Sequence, residues 1–188
     1  EITKRQKVFK WIKKNEFDII IHLAAIVPIK KVNKNKAKAK NVNFNGTKNI
    51  VDACLKSNVS WMFFSSTSHV YNSSKNKISE SFPTKPISFY GNTKLQAEKY
   101  IIKKFEKNKI SYCIGRIFST TNKDQKKGYL IPDLKNRIKK SKKKIYLKNL
   151  NHFRDFISMI NISKIIFAFV VKRFKVICNI ASGNSLHL

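Results

Sequence analysis

Short, nearly continuous apolar runs recur between longer lysine-studded segments of helical spacing, and this alternation constrains the fold more than any other feature of the chain. Thr3 to Asn15 sets Val8, Phe9 and Ile12 on one face among lysines, the spacing of an amphipathic helix. Phe17 to Leu23 (FDIIIHL) follows as a run apolar enough for a strand buried on both faces of a parallel sheet. From Ala37 to Ser57 the chain reads as a helix turning Val42, Ile50, Val51 and Cys54 inward, and Trp61 to Phe64 is a second apolar strand. Pro86 precedes a long helix over about Phe89 to Lys107, and Ile110 to Phe118 is again strand-like. Past the mixed segment Leu130 to Lys144, the pattern predicts a strand over Arg154 to Met159, a helix over Ile162 to Arg173 and a strand over Lys175 to Ile180. Strands alternating with crossover helices of this length predict an α/β fold, a doubly wound parallel sheet with right-handed connections.

With 188 residues and a 42% hydrophobic share, the chain can bury a sizeable core. Its formal charge of +30, from 40 Lys+Arg against 10 Asp+Glu, admits phosphate-bearing ligands, nucleic acid and anionic membranes as partners. The lysines are spread over almost every segment, as a solvated surface would have them. Cys54, Cys113 and Cys178 are odd in number, far apart and in apolar surroundings, which argues against a disulfide framework. His22, His69, His152 and His187 have no metal-ligand spacing. The longest apolar run, Ile165 to Val171, is too short to span a bilayer, and no early stretch resembles a signal peptide; the expected location is cytoplasmic. Glu1 opens the chain with no Met, inside what already reads as a helix, so a fragment is expected.

Tyr90-Gly91-Asn92-Thr93-Lys94 carries the sharpest chemistry. Tyr and Lys four apart on a helix leave from one face, and an ammonium near a phenol favours phenolate, making a proton-transfer device. The same spacing is also ordinary helix surface. Phe63 to Tyr71 (FFSSTSHVY) ends a buried strand in hydroxyls, where open α/β sheets place ligands, although Ser and Thr also cap turns there. His22-Leu23-Ala24-Ala25 places small residues at another strand end, and Asn43-Phe44-Asn45-Gly46-Thr47 sets a glycine inside a predicted helix.

In order, FDIIIHLAA (17 to 25), NVNFNGT (41 to 47), FFSSTSHVY (63 to 71), PISFYGNTKLQAEKY (86 to 100), RIF (116 to 118), RDF (154 to 156) and NIASG (179 to 183) make the chain resemble the extended short-chain dehydrogenase/reductases, the NAD-dependent epimerase/dehydratase family acting mainly on nucleotide sugars. The resemblance implies a Rossmann-type core and a nucleotide-sugar substrate. It makes Tyr90 the general acid/base, with Lys94 lowering its pKa and binding the nicotinamide ribose, and Thr67 the hydrogen-bond partner of the reacting oxygen. By the same carry-over Ala24 and Ala25 line the cofactor, Ser65 and Ser66 lie along it, and Asn43 supports the site. Arg154 would approach the substrate phosphates, its fork suiting that role; the alternative is an ion pair with Asp155 or another acid. Residues 1–125 are expected to form a partial dinucleotide-binding core, and 126–188 part of a substrate-binding lobe with returning core elements. A homodimer through the helices around Asn43 to Leu55 and Phe89 to Lys107 is implied, opposed by the lysines on their outer faces.

The chain departs from the family in lacking a G-x-x-G-x-x-G loop, the turn that seats the dinucleotide pyrophosphate. The residue choosing between NAD and NADP belongs to that same part, so the resemblance implies either, and the 188 residues alone are expected to bind dinucleotide poorly. Asn72 stands where glycine is usual, Ser119 to Asn122 replace a motif resembling N-x-Y-G-P, Asn161 replaces a frequent aspartate, and Lys148 to Phe153 replace a glycine-rich turn. The densest basic run, Lys135 to Lys144, reads as solvated helix surface, with a diphosphate contact as the alternative; nucleic acid is disfavoured because no reading motif accompanies it. The expected parent activity is a nucleotide-sugar epimerase or dehydratase. A ketosugar reductase of the same family is the first rival, and an inactive remnant or basic binding module the second.

Overall fold

The first elements are α1 (Arg5–Asn15) and β1 (Ile19–His22), followed by two short helices, α2 (Ile29–Lys34) and α3 (Lys36–Lys40). A π-helical turn (Asn41–Gly46) leads into α4 (Thr47–Cys54), and β2 (Trp61–Thr67) ends in a short 3-10 turn (Ser68–Val70). Then come α5 (Phe89–Asn108), β3 (Ser111–Ile117), β4 (Ser119–Thr121), α6 (Leu130–Lys140), β5 (Phe153–Ser158), α7 (Met159–Lys172), β6 (Val176–Ile180) and β7 (Ser185–His187). The computed structural model describes residues 1–125, 128–141, 144–147 and 151–188. Lys142, Lys143 and the Lys148 to Leu150 part of the expected glycine-replacing turn lie outside these.

β1, β2, β3 and β6 form one parallel sheet in that order, and β4, β5 and β7 a small second sheet. β2 shows why its sequence is so uniformly apolar. Met62 and Phe64 pack with residues of α1, α4 and α5 on one face, while Trp61 and Phe63 pack with α7 on the other. The two faces of a parallel sheet are both covered, so alternation disappears and a continuous apolar run remains. Helices on both faces of a parallel sheet are the Rossmann-type arrangement that the periodicity predicts.

In the sheet that the described residues form, β1 is the outer strand, with Ile21 47% and Leu23 55% exposed. An open groove of about 900 Å³ follows this edge, lined by Trp11, Phe17, Ile21 and Leu23 among others, and reaches the elements described below at His22 and Ala24.

The helix predicted from Ala37 onward runs without interruption through α3, the π turn and α4, its backbone helical at each junction. The π turn widens the helix by one residue, a device often found at functional sites. Thr47 Oγ1, just after it, donates to the Asn43 carbonyl at 2.8 Å, and Asn43 is fully buried. β4 and β7 were not foreseen; each is three residues long and is a strand only because β5 lies beside it.

Candidate active site

Thr67 ends β2 and caps the following turn, its Oγ1 accepting the His69 amide at 3.3 Å. Across from it, Ser88 caps α5 by accepting the Gly91 amide at 3.0 Å, which starts the helix so that Tyr90 lies in its first turn. Tyr90 is buried, and its phenol is hydrogen-bonded by the Thr67 hydroxyl. Burial pushes the phenol up to about 12, opposed by Thr67.

Lys94, one turn along α5, is 2% exposed, and its Nζ lies 4.0 Å from the centre of the Phe64 ring. Burial pulls the ammonium down to about 7, with Glu98 acting the other way. Tyr90 and Lys94 thus leave the same helix face but turn to different partners, the phenol to Thr67 and the ammonium to Phe64. The lowering of Tyr90 that the sequence suggested is not present in this arrangement, because burial dominates the phenol.

Asn43 binds one residue of the loop after β1 twice: Oδ1 accepts the Ile26 amide at 2.7 Å and Nδ2 donates to the Ile26 carbonyl at 3.0 Å. Nδ2 also donates to Thr93 Oγ1 at 3.3 Å, on the same turn of α5 as Lys94. The loop held in this way carries Ala24, which is exposed, and Ala25, half-buried, beside the carboxyl ends of β1 and β2. His22 is buried against Phe64 and bonded to Thr47 Oγ1 at 2.9 Å. Desolvation, with a contribution from the Lys94 charge, pulls its imidazole down to about 3, so it is neutral.

Ser65 is half-buried at the strand end, but the Ser66 hydroxyl is committed to the interior, donating to the Glu98 carboxylate. Glu98 also accepts from Arg116 Nη2 at 2.8 Å, in an ion pair with both side chains buried. Arg116 Nη1 donates to the Tyr71 hydroxyl at 2.8 Å, which lies 2.9 Å from Asn179 Oδ1. This network joins α5, β2, β3 and β6 behind the site. Glu98 was not singled out from sequence, although its position four residues after Lys94 was a usable signal.

Arg154 comes from β5, at the opposite wall. Its Nε donates to His152 Nε2 at 3.0 Å and its Nη1 reaches Ser119 Oγ at 3.5 Å. The Asp155 alternative is not what the structure forms: the Asp155 carboxylate accepts the Ser182 and Gly183 amides at 2.7 and 2.8 Å. Among the described residues no ion pair is formed by Arg154, and its charge is felt by His69. That imidazole meets Tyr90 edge-on at 5.8 Å between ring centres, and burial and then Arg154 lower its pKa. His69 and Tyr129, the latter close enough to bear on the Tyr90 phenol, were missed from sequence as members of the site. Tyr90 and Thr67 therefore meet, with the charge of Arg154 reaching the neighbouring His69, while the described part of the basic run stands on α6 and among the segment after it.

A parallel sheet with tyrosine, lysine and threonine gathered at the carboxyl ends of its strands defines a short-chain dehydrogenase/reductase-like protein. The chain belongs to the NAD dependent epimerase/dehydratase family, which it matches over residues 1–181. It is 29% identical over 175 residues to a GDP-6-deoxy-D-talose 4-dehydrogenase of Aggregatibacter actinomycetemcomitans, covering 92% of this chain and 58% of that one. The UDP-Glc/GlcNAc 4-epimerase of Campylobacter jejuni is similar in structure, with a TM-score of 0.83 and 25% identity over 99% of this chain and 63% of its own. A dTDP-glucose 4,6-dehydratase of Streptomyces venezuelae, solved with NAD bound, shares the fold at a TM-score of 0.88 and 19% identity, over 100% of this chain and 58% of its own. The chain thus spans about 60% of the length of these relatives. Among the described residues no helix is long and apolar enough to cross a membrane.

Proposed function

We propose that this chain carries the acid/base machinery of an NAD(P)-dependent nucleotide-sugar epimerase or dehydratase. The observation that carries the reading is the contact between the Thr67 hydroxyl and the buried Tyr90 phenol, with Lys94 one helical turn away. The residues present fit the nicotinamide end of a dinucleotide: short Ala24 and Ala25 leave the loop backbone approachable beside Lys94, and Asn43 holds that loop in place. When bound, the dinucleotide takes a hydride from a sugar carbon and can return it. Tyr90 accepts the proton of the sugar hydroxyl as that carbon becomes a ketone, and gives it back on reduction. Thr67 donates a hydrogen bond to the same oxygen, and Arg154 holds the diphosphate from the β5 side. A phenol at about 12 becomes a useful base only beside a cation, and Lys94 is the cation one turn away.

The likeness to a GDP-6-deoxy-D-talose 4-dehydrogenase favours a second reading, a reductase or dehydrogenase on the same sugar class. Both are tested on the protein with its full dinucleotide-binding part, using a panel of nucleotide sugars with NAD and NADP. An epimerase converts sugar without net change in the dinucleotide, whereas a reductase consumes one NAD(P)H per sugar. Tyr90→Phe is expected to lower kcat by about 10²-fold or more; undiminished turnover removes Tyr90 from this role.

A further inference from the structure

The Glu98–Arg116 pair has no part in the chemistry above, yet it is the most deeply buried ion pair among the described residues. Burying two charges gains little over apolar packing of the same volume, so stability alone is a poor reason for it. Its position is informative. Glu98 follows Lys94 by one turn on the inner face of α5, its oxygens are held by Arg116 from β3 and Ser66 from β2, and its charge acts on the Lys94 ammonium. The carboxylate is thereby immobilised one helical turn from a buried lysine whose Nζ lies over the Phe64 ring, without forming an ion pair with it.

We infer that Glu98, clamped by Arg116, is a positioning residue whose fixed charge favours the ammonium form of Lys94 on the inner face of α5. The charged and titratable groups around Lys94 come from three elements. His22 on β1 is neutral, Glu98 stands on α5 itself, and Arg116 on β3 sits behind Glu98. Glu98 is the acid whose charge acts on Lys94 among the described residues, so removing the carboxylate leaves the buried ammonium uncompensated there. Removing the arginine leaves the carboxylate to act on Lys94 alone. The inference takes Lys94 as the working lysine of the reading above, but its test does not depend on turnover.

The test follows the titration of Lys94 in this chain by NMR of ¹³Cε-lysine, assigned by difference with Lys94→Arg. In the wild type Lys94 is expected to titrate near 7, well below the surface lysines. In Glu98→Gln it moves down by roughly one pH unit or more, and in Arg116→Gln it moves up. A pair that only held the fold together would loosen when either member is replaced, water would reach Lys94, and both variants would move up toward about 10.4. A Lys94 titration that is unmoved or raised in Glu98→Gln therefore overturns the inference. If Glu98→Gln does not fold, Glu98→Gln/Arg116→Gln, which keeps an amide hydrogen bond in place of the ion pair, decides in the same way: downward supports, unmoved or upward overturns. These results leave the Tyr90→Phe outcome untouched, so failure of one idea is distinct from failure of the other.

Discussion

Gly91 sits directly beneath the main chain of His69: a Cβ at position 91 would come within 2.0 Å of the His69 carbonyl oxygen. This contact sets how closely the start of α5 approaches the turn after β2, and so whether Tyr90 can meet Thr67. The neighbour is backbone, so it cannot rotate aside. Gly91→Ala is expected to cost about 2–4 kcal/mol, read as a lowered Tm or denaturant midpoint, by the same overpacking that penalises added core atoms. An alanine variant as stable as the wild type would show that the turn gives way cheaply.

Asn43 satisfies both polar groups of Ile26 with one side chain. Asn43→Leu leaves that amide and carbonyl without their partners in a closed site, with an expected loss of about 2–4 kcal/mol. Asn43→Asp retains an acceptor for the amide but sets a carboxylate against the carbonyl, and should be similarly unstable. Chemical denaturation of the two variants checks this; a loss below about 0.5 kcal/mol in both would mean the loop holds itself.

His22 makes the fold acid-sensitive. Its imidazole is held at about 3 in the folded chain against an ordinary 6.5, so between these values the unfolded chain binds a proton that the folded chain does not. Its contribution to stability is complete above pH 6.5 and is lost progressively as pH falls toward 3, a loss on the order of 5 kcal/mol. Urea melts of the wild type and His22→Leu across this range should show a shallower acid slope in the variant. Parallel slopes would show that His22 is not the group being titrated.

Arg154 stands without a carboxylate partner among the described residues and faces His69 and Ser119. Arg154→Gln should weaken binding of a nucleoside diphosphate by about 10- to 100-fold, the loss of one or two charge-assisted hydrogen bonds, with little change in Tm. Calorimetric titration with UDP and GDP measures it. Equal affinity in the variant would move the diphosphate elsewhere.

Much of this was legible locally. Val8 and Ile12 on α1, and Ile101 and Phe105 on α5, recur at helical spacing because each helix buries one face, and the bounds of α5, β3 and β6 fall within a few residues of the periodic segments. The π turn inside the predicted helix was not legible: it differs from an α turn by one residue of hydrogen-bond register, and the Ile26 loop that its Asn43 holds lies 17 residues away.

By itself the sequence determined that buried strands would alternate with amphipathic helices, and that Tyr90 and Lys94, four residues apart, would leave one face of a helix. The tertiary structure alone decided where those side chains went. Thr67 drew the phenol, Phe64 took the ammonium, and Arg116, brought in from 18 residues beyond Glu98, fixed the carboxylate one turn further along the helix. The reason is one of range: helical spacing is a property of neighbouring residues, whereas burial and charge around a side chain depend on strands that meet only when the sheet is assembled.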